Sequence, residues 1–245
     1  MVDSQPVEDR EVRRIEVRDG GSAGLAVECH WAEDRFSHRI LGVLAGEPAG
    51  TGQQVLLASG PAVVAGLPLP ASEQWPADPP LQQVSVEPIG PGDAILAVGQ
   101  AGCGHWSSSV EGTPGASTGN AGELASVKFD IACRFARPAG YLGSLYRIAA
   151  EGAVLEIEQN RALLALAGPL RGHRLQLTAT RPATPGRGGT LPAAADDELA
   201  WQTDPAAQWL WLSAARSLET PLPQTVRWQF TAALISCDAP AGSGG

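Results

Sequence analysis

The densest collection of reactive side chains in this sequence is Gly102-Cys-Gly-His-Trp-Ser-Ser-Ser109, which sets a thiol, an imidazole, an indole and three hydroxyls within eight residues. In an extended strand Cys103 and His105 project from the same face, so a cysteine or serine nucleophile could find its base in His105, with Glu111 the next acid downstream. The surroundings lack a G-x-S-x-G elbow and the strand-to-helix turn that motif requires. A purely structural reading of the string packs Trp106 inward, lets His105 cap a bend and uses the glycines for close backbone approach.

A second cluster is Glu28-Cys-His-Trp-Ala-Glu-Asp-Arg-Phe-Ser-His38, where a hairpin turning at Glu33-Asp34 would bring His30 and His38 across from each other. Two histidines from adjacent strands are the start of a zinc site, which needs a third ligand from His105, His173 or a carboxylate such as Glu28 or Glu111. Exposed hairpin histidines are the simpler expectation. Cys29, Cys103, Cys133 and Cys237 are scattered with no C-x-x-C pair, so they read as buried free thiols, or as two disulfides in a secreted protein. No cofactor is expected.

Seven tryptophans stand against two tyrosines and four phenylalanines. Indoles stack on sugar faces as readily as they fill cores. Trp75, in a proline-rich connection, is the best candidate for an exposed platform, with Trp106 and Arg134 as further ligand-binding candidates. Trp209 and Trp211 share one strand face and read as a layer of core or interface. Glycoside hydrolysis needs two carboxylates facing one cleft. Glu87, Asp93, Glu111, Asp130, Glu156 and Glu158 are available, and nothing in the sequence singles out a pair.

Charge narrows the function classes. A formal net charge of −9 argues against nucleic acid and against an anionic membrane surface as partners. Arg134, Arg137 and Arg147 fall close together in the chain and read as solvated residues at strand edges. The richest apolar run, Ala162 to Leu170, is too short to span a bilayer. Met1 to Arg18 lacks the apolar core of a secretory signal, so a cytoplasmic setting is expected.

The elements that must position these residues are strands. Twenty-nine glycines and twenty prolines disfavour long helices. Period-two alternation marks Arg14–Arg18, Leu25–Trp31, Gln83–Glu87 with its partner Ala94–Val98, and above all Ser126–Phe135, where Val127, Phe129, Ile131, Cys133 and Phe135 share a face. Arg39–Leu44, Gln54–Leu57, Leu142–Ile148, Ala153–Glu158, Ala162–Ala167, His173–Thr180 and Gln208–Leu212 add shorter runs. The last strand places Val226, Trp228, Phe230 and Ala232 together. Gly66 to Pro80, with Pro68, Pro70, Pro76, Pro79 and Pro80, should run extended over the surface. Gly112–Gly122 and Pro182–Pro192 read as loops, and Ala193–Leu199 as one helical turn with Asp196 and Asp197 near its start.

Roughly a dozen strands predict an all-β protein, a large antiparallel β-sandwich with little helix. The expected organisation is a loosely attached or disordered N-terminus over 1–12, a single sandwich domain over 13–237 and a disordered tail over 238–245. Without a catalytic motif, the expected function is non-catalytic binding or scaffolding, toward a carbohydrate or protein partner. A homo-oligomer could form through an edge strand or the Trp209/Trp211 face. The alternatives are a carbohydrate-active enzyme, a hydrolase or one comparable in architecture to aldose epimerases, and a metalloenzyme built from His30, His38 and His105.

Overall fold

A computed structural model describes residues 12–18, 20, 23–46, 52–61, 63–115, 122–149, 152–180, 182, 199–214 and 222–237. The expectations for 1–11, 116–121, 183–198 and 238–245, including the helical turn, lie outside them. Two antiparallel sheets pack face to face. The seven-stranded sheet runs β1(Val12–Arg18), β2(Ala23–Ala32), β3(Arg35–Leu44), β4(Gln53–Ser59), β9(Gly143–Ile148), β14(Trp209–Ser213), β13(Ala200–Asp204). The eight-stranded sheet runs β10(Ala153–Glu158), β11(Arg161–Ala165), β12(His173–Thr180), β15(Gln224–Ser236), β8(Glu123–Phe135), β7(Gly104–Pro114), β6(Gly92–Ala101), β5(Gln83–Ile89). The all-β sandwich is therefore as the alternation predicts. No helix among the described residues is long and apolar enough to cross a membrane.

Side-chain parity builds the core. Val127, Phe129, Ile131, Cys133 and Phe135 of β8 are all buried, as are Trp228, Phe230, Ala232 and Leu234 of β15 beside them. Phe129 stacks on Phe230 with ring centroids 4.5 Å apart, and Tyr146 and Trp201 meet Phe230 edge-on from the opposite sheet. One continuous apolar cluster extends from Ile15 in the first strand to Leu234 in the last. A short 3-10 turn at Gly168–Leu170 drops Leu170 into the space that Gly42 leaves open; a Cβ on Gly42 would stand 2.0 Å from the leucine methyl.

The proline-rich connection does more than cross the surface. Val64, Leu67, Leu69 and Ala71 pack on Tyr141, Leu145, Trp209 and Trp211, forming a second, smaller core on the outer face of the seven-stranded sheet. Trp209 and Trp211 do share a face, but Leu210 and Leu212 fill the interior between the sheets. The segment then turns inward at Trp75 and Asp78. Leu81 joins Phe36 by a backbone bridge before β5 begins.

Candidate functional site

A concavity lies on the outer face of the eight-stranded sheet, where β5, β6, β7, β8 and β15 run side by side. Alternation sends every second residue of these strands away from the core, and the ladder aligns them in rows. One row is Gln83, Val98, Ser107, Ala132 and Arg227; the next is Ser85, Leu96, Ser109, Asp130 and Gln229. Ser107, Ser109 and Ala132 are small, so the middle of the face is low. Leu96 and Val98 rise on one side and Arg227 on the other. The result is a groove of about 730 Å³.

Its one ionic device spans two strands. Arg227 Nε donates to Asp130 Oδ1 at 2.6 Å, a second guanidinium nitrogen donates to Oδ2, and the Gln229 amide also donates to Oδ2. Partial burial pushes the Asp130 carboxyl up, but the hydrogen bonds from Arg227 and Gln229 and the Arg227 charge outweigh it and hold the group below its ordinary value. Asp130 is thus ionised and fully engaged. It cannot act as a general acid at neutral pH.

Of the residues singled out in the sequence, Ser107, Ser109 and Asp130 line this groove, and the others fall around it. Gly102 and Cys103 form the β6–β7 turn, and His105 lies exposed on the outer face in a row with Gln100, Arg134 and Thr225. His105 and Ser107 are two residues apart on one face, their Cα atoms ~7 Å apart. Glu111 is six residues from His105 along the same strand, ~20 Å. Cys103, His105 and Glu111 therefore do not converge. Trp106 is buried, as its structural reading expects, and Gly104 matters for ring packing: a Cβ there would sit 2.4 Å from the Trp106 ring and 3.1 Å from Trp75.

Trp75 departs from its expected exposure. It is 8% exposed and packs in the core, tilted against Trp106 and edge-on to Phe135, with centroids 5.9 and 5.8 Å apart. Proline content kept it out of a strand but did not keep it in solvent, because the end of the sandwich offers apolar rings to cover. Arg134 is exposed beside the groove, whereas Arg147 lies on the other sheet, and so the arginines near in sequence do not gather.

The histidines separate for a geometric reason. The hairpin turns at Glu33-Asp34 as expected, but a two-residue turn pairs Ala32 with Arg35, hence His30 with Ser37 and Cys29 with His38. His30 and His38 therefore point to opposite faces of the sheet, and His105 sits on the other sheet. Among the described residues no group of three metal-ligating side chains forms. His173 hydrogen-bonds the Leu170 carbonyl at 3.2 Å, and Glu28 pairs with Arg14.

His38 also departs from the exposed reading. It is 7% exposed, with Nε2 2.9 Å from the Tyr146 hydroxyl and Nδ1 3.9 Å from Oδ2 of Asp78, itself 7% exposed. Asp78 Oδ1 accepts the Leu145 N–H where the β4–β9 ladder runs out. Burial, with a small contribution from His30, lowers His38 to about 4, and burial raises Asp78 well above its ordinary value against the Leu145 hydrogen bond and Arg35. Although 3.9 Å is within ion-pair range, burial favours the neutral form of each group, lowering the imidazole and raising the carboxyl. The acid–imidazole–hydroxyl order resembles a catalytic relay, but the adjoining cavity measures about 10 Å³, room for one water. No substrate reaches it.

No family model, curated protein or solved structure matches this chain. The groove is therefore read from its own geometry. Sequence reasoning named Asp130 only as one of six available carboxylates and missed its pairing with Arg227, because the two are 97 positions apart and meet only through the β8–β15 ladder. One signal was present: serines at alternate positions of β7, small and polar where an outer face otherwise carries long side chains.

Proposed function

We propose that this chain is a non-catalytic binding protein whose ligand lies in the groove of the eight-stranded sheet. The single observation that carries the reading is a concavity within the ~300–1,000 Å³ range of small-ligand sites, lined by hydroxyls, two aliphatic side chains and one self-neutralised ion pair. A glycosidase would need a second carboxylate in the cleft and an acid held protonated. The groove is lined by one acid, and that one is held ionised. A metalloenzyme built on His30, His38 and His105 has no supporting convergence.

Two secondary readings follow from the same structure. All four cysteines are free, which supports a reducing, cytoplasmic setting. Self-association through the Trp209/Trp211 face loses support, since the proline-rich segment covers it. The edge strand β10 carries a bulge at Leu155, with Glu156 and Glu158 beside it, features that discourage edge pairing.

The test is competitive capture. A defined library of sugars, peptides and small metabolites is offered to the full chain and to Ala132→Arg, which fills the groove floor, and retained compounds are identified by native mass spectrometry. Retention by the wild type and loss in the variant supports the reading. Equal retention by both places binding elsewhere and removes it.

A further inference from the structure

Resting on that reading, we propose that the groove takes a neutral, polyhydroxylated ligand, an oligosaccharide without carboxylate, sulfate or amino groups. Charge comes first. The ionic side chains lining the groove are Asp130 and Arg227, and they satisfy each other in a two-pronged pairing reinforced by Gln229. A ligand anion would have to displace Asp130 from Arg227, and a cation would have to displace Arg227 from Asp130. An anion that displaced Asp130 would strand a carboxylate whose side chain is only 15% exposed, and a cation could take Asp130 only by forfeiting the hydrogen bonds it already accepts from Arg227 and Gln229. A neutral ligand leaves the pair intact and uses the remaining guanidinium N–H groups as donors.

The other lining groups suit hydroxyl-bearing rings. Ser85, Ser107, Ser109 and Thr225 each offer one donor and two acceptor positions, so they can match a ligand hydroxyl in either role. Beside them, Leu96 and Val98 project outward with 36% and 48% exposure, an aliphatic strip against which the C–H face of a sugar ring can lie. The described lining includes no aromatic ring, which sets the expected affinity in the millimolar range.

An extended peptide fits less well. Strands β6, β7, β8 and β15 are paired on both sides, and the free edge of β5 at the rim lies on the side away from β6, so the groove floor exposes no unpaired backbone edge to which a peptide could add as a strand. Recognition must run through side chains. That favours a ligand rich in hydroxyls over one rich in backbone amides.

The deciding experiment is a titration of the ¹⁵N-labelled full chain, followed by amide shifts, with neutral gluco-, galacto-, manno- and xylo-oligosaccharides, their uronate, sulfated and amino-sugar counterparts, and one acidic and one basic peptide. The expected result is saturable shifts at Ser107, Ser109 and Ala132 with at least one neutral oligosaccharide, and binding at least tenfold weaker with its charged counterparts. Shifts at these residues with a peptide or a charged glycan, and none with any neutral one, overturn the ligand class while the groove reading stands. No shift in the groove with any compound overturns both.

Discussion

Replacing Asp78 by asparagine separates two descriptions of the buried His38–Asp78–Tyr146 cluster. Asparagine keeps an oxygen for the Leu145 N–H and cannot ionise. Burial raises Asp78 above 3.8 in the native state, so the wild-type carboxyl opposes folding increasingly as pH rises above 3.8 toward its native value. His38 works in the other direction. Its native pKa of about 4 lies below the ordinary 6.5, so it has no effect above 6.5, and the unfolded chain is favoured as pH falls from 6.5 to 4. At ~1.4 kcal/mol per tenfold change in proton affinity, that interval is ~3 kcal/mol. In the wild type the two slopes oppose each other above pH 4. Asp78→Asn removes the Asp78 slope and leaves that of His38, so its stability should rise relative to wild type as pH increases from 4, and its own stability should rise by ~3 kcal/mol between pH 4 and 6.5, equivalent to roughly 6–12 °C in Tm. Urea unfolding followed by tryptophan fluorescence at pH 4, 5, 6.5 and 8 measures it directly. An ionised His38–Asp78 bridge predicts the reverse: the variant would strand an imidazolium, lose stability near neutrality and show no relative gain with pH. That outcome would refute the neutral description.

Other perturbations test the packing and the groove. Gly104→Ala forces a methyl into the Trp106 and Trp75 rings and should cost about 1–3 kcal/mol, whereas Gly92→Ala, with nothing within 4 Å of its added Cβ, should fall within about 0.5 kcal/mol of wild type; denaturant midpoints compare the two. Trp75→Ala should destabilise by about 3–5 kcal/mol and quench the near-ultraviolet dichroism of the Trp75–Trp106 pair, while a loss under 1 kcal/mol would mean that the segment is not part of the core. Arg227→Met removes a half-exposed guanidinium from a carboxylate that is only 15% exposed and keeps Gln229 as a partner, so it should cost about 1 kcal/mol, yet alter which compounds the groove retains. Burial pushes the Cys29 and Cys133 thiols up to about 12, so these two should react with a thiol reagent only on unfolding, after the exposed Cys237 has been modified; fast labelling of all four in the native state would contradict their burial.

Much of the fold is legible in the chain because one face of each strand is committed to the core. Ser126–Phe135 declares its inward residues without ambiguity, and the Gln83–Val98 hairpin declares its turn. β13 escaped because Ala200–Asp204 offers a single large apolar residue, Trp201, too little for a period. The fate of the histidines was within reach of arithmetic: once the turn is placed at Glu33-Asp34, register alone puts His30 opposite Ser37 and parts it from His38. Trp75 was not within reach. Its burial depends on rings from β7 and β8 that arrive at the same end of the sandwich, and composition carries no trace of that meeting. The groove is illegible for a similar reason, since its walls come from strands far apart in the chain and its depth comes from what Ser107, Ser109 and Ala132 lack.

The position of β15 has a consequence for biosynthesis. The last strand of the described chain lies between β8 and β12, hydrogen-bonded to both along most of its length. Until residues 224–236 leave the ribosome, two long edges stay open and Phe129 has no ring to stack upon. Nascent chains therefore wait, adhesive, for residues 224–236. A ribosome stalled upstream of Gln224 would release a product suited to chaperones and proteases rather than to ligand.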